Sequence, residues 1–216
     1  HNPGGRIWTI SELNELAYFC KYNRILLIVD EIHHDLVYPN EKHVTFQVAV
    51  NNSVKNSVIM LSTTKTFNLA GGLMGSVIIE DKNLRQRFKA THEAVGTTPN
   101  RFGMIMAEAA MTGGKTWLKN LMVHLDENRN IFDEGINSTQ TLRSMKLQAT
   151  YLAWVDFSKT CLNEEEIIKL VHHEAKIASN IGSSFGKGGQ KFMRFNLACS
   201  RNTVKTAVNR LTENFR

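Results

Sequence analysis

Short apolar runs in the first half of the chain predict the strands of a sheet. Residues 25–29 form an uninterrupted aliphatic run that ends at Asp30. Runs of this kind, without polar alternation, are typical of a strand buried on both faces in a parallel sheet. Similar runs occur at residues 58–61 and 76–79. We therefore predict three strands, with polar residues following the first two.

Apolar residues at helical spacing predict the elements around these strands. Thr9 and Glu12 form a capping-box signature, and apolar positions then repeat at helical spacing to about Tyr22. Further helices are expected at residues 84–94, 100–111, 115 to about 144, 164–178 and 203–215, and further strands at 151–157 and 191–198. The pattern indicates an α/β architecture, divided into a sheet domain over residues 1–115 and a smaller α+β domain over residues 116–216.

Composition and charge narrow the class of protein. With 42% apolar and 21% charged residues among 216, the chain is globular rather than disordered. Its longest apolar run is far shorter than the roughly 20 residues of a membrane span, so we expect no membrane partner. Cys20, Cys161 and Cys199 form no CxxC pair and no even disulfide set, which favours a cytoplasmic location. The net charge of +6 is scattered along the chain, which predicts a solvated basic surface and no nucleic-acid partner.

Two residues that follow predicted strands could carry chemistry. Asp30 ends the first strand, and Lys65 comes shortly after the second. Ligands of open α/β sheets bind outside the carboxyl ends of the strands. A lysine amine there can condense with a carbonyl or a pyridoxal aldehyde, and a carboxylate can keep a pyridine nitrogen protonated. Position alone leaves open the alternative that both residues are structural.

Longer stretches, spread over the whole chain, resemble one enzyme family. They are residues 1–9 (HNPGGRIWT), 29–38 (VDEIHHDLVY), 64–71 (TKTFNLAG), 149–157 (ATYLAWVDF) and 192–199 (FMRFNLAC). These stretches resemble pyridoxal-phosphate enzymes of fold type I, and more narrowly the class I/II aminotransferase family in its cystathionine β-lyase, or carbon–sulfur lyase, branch. The resemblance implies the C-terminal part of a large parallel-sheet domain, a small α+β domain, pyridoxal 5'-phosphate as cofactor, and a homodimer.

The resemblance also implies cofactor-binding roles. Lys65 would form a Schiff base with pyridoxal phosphate and then move the substrate's Cα proton. Asp30 would pair with the pyridinium nitrogen, and Asn2 would hydrogen-bond the phenolic oxygen of the ring. His33 stands where the aminotransferase branch usually has a tyrosine, which favours a lyase over a transaminase.

The remaining implied roles concern the substrate carboxylate and the cofactor phosphate. Arg194 matches the arginine that binds the α-carboxylate, which suits its planar, bidentate fork. Ser62 and Thr64 lie where hydroxyls of the family help to hold the phosphate. Leu73 departs from the pattern, because aspartate-type aminotransferases carry a phosphate-binding arginine at that position.

The implied activity is β-elimination from cystathionine or a cysteine conjugate, which releases a thiol, ammonia and pyruvate. An aminotransferase using the same site, and a non-catalytic module that binds the cofactor or a partner, are the alternatives. Family members are nearly twice as long, so we expect a missing upstream half and impaired activity in this chain alone. No metal site is expected, because the neighbouring carboxylates and imidazoles of residues 30–35 would not converge on one point.

Overall fold

A computed structural model describes residues 1–51 and 54–216. The chain divides into two units by its internal contacts. We call the first the lysine unit, which contains Lys65 and comprises Trp8–Asp35 and Lys42–Lys119. The second, the arginine unit, contains Arg194 and comprises His1–Ile7, Leu36–Glu41 and Asn120–Arg216. The division at 115/116 into family domains stays a prediction.

The lysine unit combines a three-stranded sheet with helices. Its elements in chain order are α1 (Ile10–Tyr22), β1 (Leu27–Asp30), α2 (Phe46–Ala49), β2 (Ser57–Leu61), α3 (Thr63–Thr66), β3 (Ser76–Ile79), α4 (Lys82–Ala94) and α5 (Arg101–Gly113). The strand order is β1-β2-β3, with β1 parallel and β3 antiparallel to β2. An antiparallel edge strand on an otherwise parallel sheet is common in α/β proteins. The three predicted strands are confirmed.

Burial of β1 differs from the prediction. Leu27 and Val29 pack against the core cluster of this unit, but Ile28, on the other face, is 60% exposed. On the same face as Ile28, Val58 of β2 and Ile79 of β3 are both buried. Burial on this face therefore stops before β1, which lies at the edge of the described sheet. The prediction of burial on both faces was therefore wrong, because it requires packing elements over each face of the strand.

The arginine unit is built on an antiparallel sheet. It holds most of α6 (Lys115–Asn137), then β4 (Arg143–Ser144), β5 (Leu152–Asp156), α7 (Glu164–Lys169), β6 (Asn180–Ile181), β7 (Phe192–Asn196) and α8 (Arg201–Asn214). The strand order is β4-β5-β7-β6. Helix side chains such as Phe132 and Leu211 and strand side chains such as Val155 and Met193 are fully buried and form its core.

Two predicted helices end earlier than expected. Helix α6 stops at Asn137 instead of continuing to about residue 144. The Ser138 hydroxyl donates to the carbonyl of Gly135 (2.7 Å), and the Asn137 side-chain oxygen accepts from the backbone of Ser144 (2.9 Å). These hydrogen bonds satisfy backbone groups without another helical turn, and the chain then enters β4. The helix expected over 164–178 is α-helical to Lys169 and continues as a π-helical turn over Leu170–Glu174.

The first residues of the chain pack in the arginine unit. The Gly5 carbonyl accepts hydrogen bonds from the backbone of Gln148 (2.8 Å) and Ala149 (3.0 Å). Gly5 has a positive φ of 65°, and a Cβ there would lie 2.2 Å from a methyl carbon of Leu147. Only glycine fits both constraints. This attachment carries Asn2 into the same unit as Arg194.

Among the described helices, none combines the length and apolar character of a membrane span.

Candidate active site

Asp30 and Lys65 follow the same end of two adjacent parallel strands. Asp30 is the last residue of β1, and β2 ends at Leu61, four residues before Lys65. In the register Asp30 lies opposite Met60. Since the carboxyl ends of parallel strands share one edge of the sheet, this edge is where an α/β protein binds its ligand.

Neither charged group of this pair is engaged with another charge in the described part of the chain. One carboxylate oxygen of Asp30 accepts a hydrogen bond from the backbone of Ile32 (3.0 Å), and the side chain is exposed. Lys65 is half-buried, and its ammonium forms no hydrogen bond or ion pair with a described residue. A structural Asp–Lys ion pair is therefore not what these residues form.

Hydrogen bonds of Ser62 position the turn that carries Lys65. Ser62 is the N-cap of α3, where its hydroxyl accepts from the backbone of Thr64 (3.0 Å) and donates to the carbonyl of Met74 (2.6 Å). The hydroxyl oxygens of Ser62 and Thr64 lie 2.8 Å apart. These contacts hold the short helix at the end of β2.

A buried threonine next to Lys65 connects α3 to the segment that carries His33. The Thr66 hydroxyl, fully buried, donates to a carboxylate oxygen of Asp35 (3.0 Å). His33 is half-buried in the turn between Asp30 and Asp35. The lysine unit thus brings five of the predicted site residues to two connected segments, namely Asp30, His33, Ser62, Thr64 and Lys65. The sequence analysis missed the Thr66–Asp35 contact, which leaves no signal in local spacing.

The other two predicted residues meet in the arginine unit. Arg194 lies on β7, and its Nη1 donates to the side-chain oxygen of Asn2 (2.6 Å). Its Nη2 donates to the side-chain oxygen of Asn180 on β6 (2.8 Å), and its guanidinium carbon lies 4.7 Å from the centre of the Phe185 ring. Burial lowers the pKa of Arg194, and the nearby phenol of Tyr151 opposes this shift.

Arg194 keeps its charge available for a ligand. Within the described residues it pairs with no carboxylate, and its contacts are neutral amides and a ring. A partly desolvated arginine without a counter-charge is suited to bind a carboxylate in bidentate fashion. The sequence analysis identified Arg194 and Asn2 but missed Asn180 and Phe185. The pairing of the two-residue strand β6 with β7 places Asn180 beside Arg194, and the turn after β6 brings in Phe185.

Comparisons with known proteins show which chains resemble this one. The family model described as "Aminotransferase class I and II" matches residues 1–211. Among curated proteins, the chain is 33% identical over 214 residues to "Cystathionine beta-lyase PatB" of Bacillus subtilis. This alignment covers 98% of the chain and 55% of the relative.

Solved structures give the same family. A PLP-bound putative aminotransferase from Clostridium difficile 630 superposes with a TM-score of 0.95 and 32% identity, covering 100% of this chain and 56% of that one. Cystalysin from Treponema denticola, which contains pyridoxal 5'-phosphate, has a TM-score of 0.93 and 28% identity, with coverages of 99% and 55%. The expected family, fold and cofactor type are confirmed at the family level. The chain spans about half the length of the relatives it matches.

Proposed function

The chain belongs to the class I and II aminotransferase family, and on that premise we propose that it is a pyridoxal-phosphate-dependent carbon–sulfur β-lyase. The substrate is cystathionine or another cysteine conjugate. The Cβ–S bond breaks, one water is consumed, and the products are a thiol, ammonia and pyruvate. A 33% identical relative named cystathionine β-lyase and the histidine at position 33 support a lyase.

The proposed cofactor site uses residues at the end of β1 and β2. Lys65 would hold the aldehyde of pyridoxal phosphate, Asp30 would pair with the pyridine nitrogen, and Ser62 and Thr64 would hold the phosphate. The Lys65 ammonium and the Asp30 carboxylate fit pyridoxal phosphate, since neither is paired with a charge in the described chain. When bound, the cofactor withdraws the electron pair left on the substrate's Cα.

Asn2 and His33 complete the cofactor contacts in this proposal. Both are assigned to the phenolic oxygen of the ring. The side-chain oxygen of Asn2 already accepts from Arg194, so its NH₂ group is the part that can donate to the phenolic oxygen. Arg194 thereby orients the Asn2 amide.

The remaining steps belong to two side chains. Arg194 binds the substrate's α-carboxylate and so orients the Cα–H bond. The Lys65 side chain would accept the Cα proton as a general base. The observation that carries the proposal is the placement of Asp30 and Lys65, neither paired with a charge among the described residues, at one edge of a parallel strand pair.

The decisive experiment is the visible absorption of the chain with pyridoxal phosphate, before and after borohydride. We expect a visible band in the wild type that borohydride converts into a stable covalent adduct. Lys65→Ala should lose both, while the matched control Lys89→Ala, an exposed lysine of α4, should keep them. Equal labelling of wild type and Lys65→Ala would contradict the role of Lys65.

An aminotransferase with the same site is the second candidate. It is favoured by the structural neighbour named a putative aminotransferase, at a TM-score of 0.95. Pyruvate release from cystathionine without an added 2-oxo acid identifies the lyase, whereas turnover that requires the 2-oxo acid identifies the aminotransferase. A protein that binds the cofactor but converts no amino acid would be the non-catalytic module.

Assembly and location complete the proposal. We propose a cytoplasmic homodimer with domains at 1–115 and 116–216. The described cysteines are free, which is compatible with a reducing compartment. Sedimentation velocity at several concentrations tests the dimer, and a monomer at all of them would contradict it.

A further inference from the structure

Neutral groups surround the guanidinium of Arg194. Asn2 and Asn180 each accept one of its hydrogen bonds, at 2.6 and 2.8 Å. The ring of Phe185 covers it at 4.7 Å. None of these groups carries a negative charge, and no described carboxylate lies within ion-pair distance of Arg194. The contacts therefore orient the cation without neutralising it.

Strand pairing places Asn180 beside Arg194. The two residues are directly opposite each other in the β6–β7 register, so their side chains share one face of the sheet. The amide oxygen of Asn180 supplies a hydrogen-bond acceptor with only a partial charge. An aspartate here would instead form an ion pair with Arg194 and compete with an incoming anion.

The turn after β6 holds Phe185 over the guanidinium. The backbone closes tightly at Gly182 and Gly189, since a Cβ on Gly189 would lie 1.9 Å from the Gly182 carbonyl oxygen. Trp154, buried on β5, contacts the Phe185 ring edge-on with centroids 5.5 Å apart. The ring therefore covers one face of the guanidinium plane and adds a cation–π contact.

The donor count leaves room for one carboxylate. Each Nη nitrogen carries two N–H bonds and donates one of them, to Asn2 or to Asn180. One donor therefore remains on each nitrogen, and a carboxylate has two oxygens to accept them.

We propose that Asn180 and Phe185 are positioning residues that hold Arg194 as an uncompensated, pre-oriented cation for the α-carboxylate of the substrate. This inference rests on the role of Arg194 in the proposed function. It predicts that the site prefers a singly charged carboxylate over its neutral amide even without cofactor.

The test follows the guanidinium N–H signals of Arg194 by NMR in the ¹⁵N-arginine-labelled chain. The probe is propionate, which has no amino group and so does not react with a cofactor, and propionamide is its neutral isostere. We expect saturable shifts of the Arg194 signals with propionate and none with propionamide. If propionate leaves the Arg194 signals of the wild-type chain unchanged, the inference is overturned.

Variants of Asn180 and Phe185 test whether these residues orient Arg194 or only stabilise the fold. Asn180→Asp keeps the acceptor but adds a charge, so we expect propionate affinity to fall about tenfold or more. Asn180→Leu should weaken it about fivefold through loss of a charged hydrogen bond, and Phe185→Leu about threefold through loss of the ring. Phe185→Tyr should restore near-wild-type affinity.

A matched control and a separate readout complete the design. Asn202→Asp makes the same charge change on exposed α8 and should leave affinity unchanged. Variants are compared only when their other arginine signals match the wild type. Wild-type affinity in Asn180→Asp would overturn the positioning role while leaving the proposed function standing. Failure of cofactor attachment at Lys65 would instead refute the proposed function, because propionate binding is measured without cofactor.

Discussion

At the scale of single residues, burial in the folded chain determines the pKa of Tyr38. Tyr38 is 1% exposed, and its hydroxyl has no hydrogen-bond partner among the described residues. The guanidinium of Arg129 lies 4.4 Å from the centre of its ring. Burial raises the pKa of Tyr38 well above its usual range, and Arg129 opposes this only in part. The folded chain therefore keeps this phenol neutral.

Because Tyr38 is buried, the stability of the folded chain changes with pH in the alkaline range. An unfolded tyrosine ionises near pH 10, whereas Tyr38 in the folded chain keeps its proton to higher pH. The folded state binds more protons above pH 10, so the free energy of unfolding falls there, by up to about 1.4 kcal/mol per pH unit for one group. Urea titrations from pH 8 to 11 should show that Tyr38→Phe removes this part of the decline.

The matched control is Tyr18→Phe, since Tyr18 is 70% exposed. It should leave the pH profile unchanged. Near pH 8, Tyr38→Phe should change the unfolding free energy by less than about 1 kcal/mol, because the hydroxyl it removes has no partner. Parallel alkaline declines for wild type and Tyr38→Phe would contradict the assignment.

At the scale of elements, local capping chemistry determines where helices begin. Thr9 and Glu12 form the predicted capping box at α1, with backbone-to-side-chain bonds of 3.2 and 2.8 Å. Asn163 and Glu166 form a second one at α7. Each satisfies two backbone donors that a helix start leaves without partners.

The cap at Thr9 can be measured directly. Thr9→Ala should lower the free energy of unfolding by about 1 kcal/mol and speed amide hydrogen exchange in the first turn of α1. Ser11→Ala is the control, because the Ser11 hydroxyl bonds Glu15 within the helix rather than a backbone amide. Exchange equally slow in Thr9→Ala and in the wild type would show that tertiary packing, not the cap, holds this turn.

At the scale of the whole molecule, apolar surface remains exposed on the sheet of the lysine unit. Ile28 on β1 is exposed, while Val58, opposite it on β2, is buried. An exposed apolar side chain is normal at a protein surface, but it adds to the apolar area through which copies of a chain can associate.

Substitutions on this face should therefore separate solubility from stability. Ile28→Lys should raise the solubility of the chain and change its unfolding free energy by no more than about 0.5 kcal/mol. Val58→Lys, next to it on the same face, should destabilise by several kcal/mol, because it buries an unpaired charge. Solubility and urea denaturation of the two variants provide the check, and a large stability loss in Ile28→Lys would contradict it.

Features that depend on neighbours along the chain can be predicted from the sequence alone. Capping at Thr9, the aliphatic runs of β1 and β2, and a charged residue after each run are local, so their elements appear close to the predicted positions. The role of Arg194 came instead from the resemblance of residues 192–199 to the family. Local hydrogen bonding and side-chain periodicity act over a few residues, and so they are visible without a fold.

Contacts between residues far apart in sequence depend instead on the tertiary structure. The exposure of Ile28 depends on what covers an edge strand, and the contacts of Arg194 with Asn2 and Asn180 depend on packing and strand register. Thr66 and Asp35 meet for the same reason, because their contact spans 31 positions in sequence. Such contacts are set by long-range packing, which local spacing does not encode.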